Sequence, residues 1–304
     1  ARKGSLVTDL FPVCPVMTSK HRMNYGPGMV TPPLAPVRPD ATGDPFGWIA
    51  DPSDPAMLAH LDAERAYYEH RVAPLGDLRA ALAAEMTGRL PAQESSAPWT
   101  QGDWVYRRET APGAEYDRLL RRPLAGGDEV VLLDLQAVHD AGGTTYTRDG
   151  QLEVSPDGRW LAWSVDLDGD EVYALRFRDL STGADLDEVV PRTYYGAAWS
   201  ADSSAFLYTV HDETYRPFQV WRHVLGTPVS DDVLVLEDLD ERLEIELHAS
   251  RSGEYAVISL LGRSFREEHL LRLDSPSATP TLVRAREVGV EYELEHAPGL
   301  GPDG

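Results

Sequence analysis

A short turn-and-strand unit recurs along the second half of this chain. It is clearest at Ser155-Pro156-Asp157-Gly158, which leads into Arg159-Trp160-Leu161-Ala162-Trp163-Ser164-Val165. Proline at the second turn position presets φ, aspartate bonds nearby amides, and glycine tolerates positive φ. The aromatic and β-branched run that follows suits a buried strand. Ser200-Ala201-Asp202-Ser203 precedes residues 205–210 in the same way, and Ser250-Arg251-Ser252-Gly253 precedes residues 255–260. The closing residues stand at 158, 203 and 253, so the periods are 45 and 50. Gly301-Pro302-Asp303-Gly304 reads as the same turn again, 51 residues further on. A period of roughly 40–50 residues with several strands per unit marks a β-propeller.

From Pro98 onward the pattern is strand-like. The first unit has strands near 104–107, 116–121 and 130–133, separated by turns at Ala111-Pro112-Gly113 and Gly126-Gly127. The second has 152–155, 160–165, 172–178 and 186–190; the third has 197–199, 205–210, 219–225 and 233–237. The fourth has 243–249, 255–261, 269–273 and 281–283, and residues 292–296 read as the inner strand of a fifth. Four short strands per unit is a propeller blade. The expected fold class is all-β with an N-terminal α-helical segment. Its β part is a partial propeller of about four blades, at 96–150, 151–192, 193–240 and 241–288, with a fifth begun at 289–304. Four blades do not close a ring. The fourth is therefore expected to leave a hydrophobic face and strand edges exposed, and the chain to be a marginally stable piece of a larger protein.

Residues 1–40 carry many prolines and are expected to form an extended or disordered arm. Residues 41–95 read as two helices. Asp54 can cap the first and Pro55 fits its opening turn, with Leu58, Leu61, Arg65, Tyr68 and Val72 on one face. The second is predicted over about 75–87, with Leu75, Leu78, Leu82 and Met86 inward and Gly88 as the stop.

Composition narrows the partners. Hydrophobic residues make up 42% of the 304, enough for a core, and no segment approaches the ~20 apolar residues of a membrane span. A net charge of −22 argues against nucleic-acid and anionic-membrane partners. It suits basic peptides, although a solvated acidic surface needs no partner. Cys14 is the only cysteine, which rules out an internal disulfide or a cysteine metal cluster. Arg2 and Lys3 precede an apolar run broken by Asp9 and Pro12, unlike a signal peptide, so the expected location is the cytoplasm.

No constellation of catalytic, cofactor or metal-binding residues stands out. Asp166-Leu167-Asp168-Gly169-Asp170-Glu171 offers alternate carboxylates, but a calcium loop needs glycine sixth and glutamate twelfth, where Glu171 and Phe177 stand. It reads as a hairpin turn instead. Gly262-Arg263-Ser264-Phe265-Arg266 lacks the second glycine of a serine-hydrolase elbow. His60 and His70 sit on the first helix, and His223 and His269 in strands, with no zinc-peptidase spacing among them. Asp212-Glu213-Thr214-Tyr215-Arg216-Pro217 ends a loop between strands, where Arg216 can pair with Asp212 or Glu213.

Nine ordered motifs across about residues 31–296 resemble the N-terminal half of the prolyl oligopeptidase family of serine peptidases, nearest its oligopeptidase B (protease II) branch. They are Asp44-Pro45-Phe46-Gly47-Trp48, Ala63-Glu64-Arg65-Ala66-Tyr67, Glu85-Met86-Thr87-Gly88-Arg89, Ser155-Pro156-Asp157-Gly158, and residues 166–173. Asp179-Leu180-Ser181-Thr182-Gly183, Asp212-Glu213 with Arg216-Pro217, Trp221-Arg222-His223-Val224-Leu225-Gly226-Thr227, and Gly289-Val290-Glu291-Tyr292 complete the series. The resemblance implies a seven-bladed propeller capping an α/β-hydrolase domain. That domain carries the Ser, Asp and His triad, while the propeller admits only short peptides. In the oligopeptidase B branch the cleaved bond follows Arg or Lys. No triad residue and no specificity carboxylate transfers to this chain. The stretch between Pro39 and Asp44 lacks the family's His-Gly, and Asp134-Leu135-Gln136 replaces Asp-x-Asn. The function expected is the lid and size filter of such a peptidase, inactive alone and partnered by the missing hydrolase domain and short peptides. The alternative is a non-catalytic propeller module for binding or scaffolding.

Overall fold

In a computed structural model of the chain, residues 32–39, 42–275, 277–296 and 298–299 are described. The chain divides into two compact units, residues 1–90 and 91–304. The expected turn at 301–304, and the arm before residue 32, lie outside the described residues.

In the first unit, α1 (Pro55–Val72) starts as its sequence directs. The Asp54 side chain accepts from the Ala56 amide at 2.7 Å, with Pro55 in the first turn. α2 (Gly76–Gly88) follows after a single 3₁₀ turn. The proline-rich strap is tied to this start: Arg38 reaches Asp54 at 3.3 Å, lies 5.0 Å over the Trp48 ring, and Trp48 donates to the Pro36 carbonyl. The helical face expected to point inward does not. Leu75, Leu78, Leu82 and Met86 are all exposed, Met86 at 68%. The apolar period is present, but an apolar stripe is buried only where a partner covers it.

The second unit opens with a five-stranded sheet of β1 (Glu94–Ser95), β2 (Trp99–Gln101), β3 (Trp104–Thr110), β4 (Arg118–Pro123) and β5 (Val130–Asp134). Sequence reading missed α3 (Leu135–Gly142), a short helix capped by Asp134, which accepts from the Ala137 amide. Gln136 sits on that helix and accepts from the Glu115 and Tyr116 amides, fixing the β3–β4 loop. The next two blades contain β6 (Arg148–Val154), β7 (Trp160–Asp166), β8 (Tyr173–Asp179), β9 (Ala184–Trp199), β10 (Ala205–His211), β11 (Pro217–Val224) and β12 (Val233–Glu237). The fourth holds β13 (Glu244–Ala249), β14 (Tyr255–Leu261), β15 (Arg266–Arg272) and β16 (Thr281–Arg284). All ladders are antiparallel except one parallel bridge, His248 to Ala197, between inner strands.

β9 runs through what the sequence divides into an outer strand, a gap and an inner strand. Its start pairs with β8 and its end with β10, and Thr193 pairs with both Tyr173 and Val210. Positive φ at Arg192 (58°) and Gly196 (91°) turns the chain from one blade into the next.

Strand alternation then distributes the core into layers between blades. Leu161 and Trp163 of β7 face the first blade with Tyr106, Leu119 and Leu133. Ala162, one residue out of step, faces the third blade with Leu175, Phe177, Trp199, Phe206 and Tyr208. Leu207 points the other way, into a layer with Ile245, Leu247, Ala256, Ile258 and Leu260 of the fourth.

The far side of the fourth blade differs from expectation. It carries Glu246, His248, Ser259 and Glu268 beside Val257 and Leu270, so it is a mixed face rather than a purely hydrophobic one. Residues 290–296 lie over it without joining a ladder, in place of the inner strand read at 292–296. The Tyr292 hydroxyl accepts from the Glu268 amide at 3.1 Å, and the His296 ring meets Tyr255 edge-on at 4.8 Å.

Candidate functional site

The blades have two kinds of end. At one, the recurring turns repeat one hydrogen-bond scheme. Ser155 Oγ donates to Asp157 Oδ1 and accepts from the Trp160 amide, while Gly158 N donates to the Ser155 carbonyl. Ser200 Oγ donates to Asp202 Oδ1 and accepts from the Ala205 amide. Ser250 Oγ meets Ser252 Oγ and accepts from the Tyr255 amide. The turns also bridge blades. Arg121 donates to the Gly158 carbonyl, Asp157 N to Ser203 Oγ, and Ala201 N to the Leu273 carbonyl. These serines are buried and have partners, which marks this end as scaffold.

The opposite end carries the loops between second and third strands. The Asp166 carboxylate accepts from the amides of Asp168, Gly169 and Glu171 at 2.8–2.9 Å. Burial works against its charge, but these amides outweigh it and hold the carboxyl below its ordinary range. Among the described residues no cluster of His, Cys, Asp and Glu is placed to hold a metal ion. In the next loop Arg216 pairs with Asp212 at 2.9 Å, not with Glu213. Arg216 also donates to the carbonyls of Asp238, Asp240 and Leu243, which fixes the passage into the fourth blade. Burial opposes the Asp212 charge, yet bonds from Thr214 and Arg216 hold its carboxyl at about 2. Ser264 lies in the corresponding loop of the fourth blade, its carbonyl accepting from the Gly289 amide.

The histidines do not converge. His60 stands 4.0 Å from Glu64 on α1, His269 pairs with Glu267 at 3.0 Å, and the buried His223 bonds Asp232 at 2.7 Å.

What does converge is the inner wall. Gln101 of β2, Gln151 and Glu153 of β6, Ala197 of β9 and His248 of β13 line one cavity of about 850 Å³. Surrounding protein pushes the Glu153 carboxyl up although its side chain opens onto this cavity. Toward the loop end the wall continues into a pocket of about 440 Å³ lined by Tyr194, Tyr195, Tyr215, Glu244, Glu246 and His248. Sequence reading missed this group. Its signal was the alternation of Glu244, Glu246 and His248 against Leu243, Ile245 and Leu247, one polar face on an otherwise buried strand.

Comparison with known proteins assigns this architecture. Residues 33–300 match the family described as prolyl oligopeptidase, N-terminal beta-propeller domain. The chain therefore belongs to the prolyl oligopeptidase family and comprises its N-terminal propeller region. It is 32% identical over 296 residues to dipeptidyl aminopeptidase BI of Pseudoxanthomonas mexicana, covering 88% of this chain and 40% of that protein. It is 29% identical to protease 2 of Moraxella lacunata, over 84% of this chain and 38% of the relative. Among solved structures, oligopeptidase B from Leishmania major superposes with a TM-score of 0.76 at 29% identity, over 84% of this chain and 36% of that one. Oligopeptidase B from Trypanosoma brucei with covalently bound antipain gives 0.75 at 30% identity, over 84% and 37%. The chain thus spans about two fifths of the length of these relatives.

Proposed function

We propose that this chain is the access-controlling half of an oligopeptidase B-like serine peptidase, working with an α/β-hydrolase domain that carries the triad. In this reading the propeller is lid and size filter, and short peptides with basic residues are the substrates. The observation that carries it is the wide cavity lined by the inner strands of four blades, with Glu153 on its wall and Glu244 and Glu246 in the adjoining pocket. Opposite charge on a confined wall concentrates basic ligands. The net charge of −22 acts in the same direction. We assign residues 1–40 to the arm, 41–95 to the helical segment and 96–304 to the propeller. A chain with one cysteine in 304 residues supports the cytoplasm as its location. No helix among the described residues is long and apolar enough to cross a membrane.

The test is to read the gene beyond codon 304 and assay its whole product. The reading expects an in-frame hydrolase domain with a Gly-x-Ser-x-Gly elbow, cleavage of short Arg peptides and no cleavage of a folded protein. A stop codon with no hydrolase in an adjacent frame, or equal cleavage of folded protein, overturns it. The 304-residue chain alone is expected to remain unlabelled by a fluorophosphonate probe.

A further inference from the structure

Tyr215 is the one bulky aromatic residue among the described non-glycine residues with positive φ, at 63°. A large side chain in the left-handed region is strained by about 1–3 kcal/mol and persists only where its surroundings enforce it. Here they do. Asp212 Oδ1 accepts from the Thr214 amide and hydroxyl and from the Arg216 amide, and Tyr215 N donates to the Asp212 carbonyl. The Asp212–Arg216 pair closes the loop. This rigid frame holds out a side chain that is 45% exposed.

The Tyr215 ring stacks on His211 at 5.1 Å, and His211 meets Tyr194 edge-on at 5.3 Å. Tyr194 in turn meets Tyr195 at 4.8 Å. Tyr194, Tyr195 and Tyr215 therefore form an aromatic lining of the 440 Å³ pocket, which Glu244, Glu246 and His248 of the adjacent strand also line. Aromatic faces attract cations electrostatically, and carboxylates add directional acceptors. Tyr195 already holds a guanidinium at its ring, since Arg148 lies 5.8 Å from the centroid.

A second observation stands beside the pocket. Glu246 and His248 also line the neighbouring cavity that contains Glu268. Glu268 is 0% exposed. One of its oxygens accepts from Ser259 Oγ at 2.6 Å, while the other has no hydrogen-bond partner and Arg266 no nearer than 3.9 Å. This open acceptor lies in the neighbouring cavity, which shares Glu246 and His248 with the pocket.

We propose that this loop-end pocket is a subsite for one cationic group of a peptide, a guanidinium or a primary ammonium. Tyr194, Tyr195 and Tyr215 stack on it and Glu244 and Glu246 accept its N–H groups. The subsite rests on the peptidase reading only for the ligand being a peptide.

The test is saturation-transfer NMR of the 304-residue chain with acetyl-arginine amide, acetyl-lysine amide, glycine amide and uncharged acetyl-citrulline amide. A single caged cation is expected to bind with a Kd on the order of 1 mM. The first three probes separate guanidinium, side-chain ammonium and α-ammonium; citrulline amide should give no saturation. Glu246→Gln and Tyr215→Leu, both at exposed positions, should each weaken binding about tenfold, and Glu213→Gln, in the same loop but outside the pocket, should not. Equal binding of citrulline amide, unchanged affinity in both variants, or no binding of any cation overturns the subsite. A chain that binds cations while its gene product hydrolyses no peptide fails the peptidase reading alone.

Discussion

The two ends of the blades are built from similar residues and do different things. At the turn end Ser155, Ser200 and Ser250 use hydroxyls, and Asp157 and Asp202 use carboxylates, to satisfy their own hairpins. At the loop end Asp212 does the same, but the loop it closes presents Tyr215 outward at positive φ. The lesson is that an Asx-closed turn is scaffold when the hydroxyls and carboxylates that close it are satisfied within the turn and it holds out no strained side chain. It becomes a site when it holds a strained, exposed side chain against a cavity.

The largest expected effect tests the layers that both ends share. Ile258→Ala, at a fully buried position between the third and fourth blades, should destabilise by about 2–5 kcal/mol in chemical denaturation. A loss under about 1 kcal/mol would mean that the blades are not packed as described. Next comes the turn end. Ser155→Ala removes the acceptor of the Trp160 amide and one of the two donors to Asp157 Oδ1, the Arg159 amide remaining, and should lower stability by about 1–3 kcal/mol, with no change in cation binding.

Acid should act through the ion pairs. Partial burial opposes the charges of Asp212 and Glu267, but their partners hold both carboxyls at about 2, below the roughly 4 of an unfolded chain. A depressed carboxylate contributes stability above its unfolded value and loses it as pH falls through the folded one. The contribution of these two carboxylates should therefore be constant above about pH 5 and be lost between about pH 4 and 2, so the melting temperature falls over that acid range. Glu268 has the opposite sign. Burial raises its carboxyl, so it favours folding only while protonated, and Glu268→Gln should raise the melting temperature at neutral pH.

The smallest effects contrast the ends most sharply. Tyr215→Gly relieves the positive φ and should change stability by less than about 1 kcal/mol while weakening cation binding about tenfold. Ser203 has φ of 62° where Gly158 and Gly253 have 73° and 72°. Ser203→Gly trades relief of that strain for the bond from Asp157 N, so a change within about 0.5 kcal/mol is expected, again with binding intact.

The blades were legible because a strand of period two and a turn with Pro, Asp and Gly are local signals. The Ser155, Ser200 and Ser250 hairpins needed no distant partner to be read. Three things were not local. Residues 191–196 read as a gap because β9 changes partners there, through φ values that one sequence does not disclose. The apolar face of α2 was correctly periodic, but whether it is covered depends on what stands beside it. The Tyr194, Tyr215 and Glu246 pocket joins three segments, and only the order of the blades brings them together.

The division between the ends is tested most directly by hydrogen exchange of the 304-residue chain with and without saturating acetyl-arginine amide. The account predicts added protection at 194–195, 212–216 and 244–248, with none at 155–159, 200–204 or 250–254. Protection confined to the turn end, or spread equally over both ends, would contradict it.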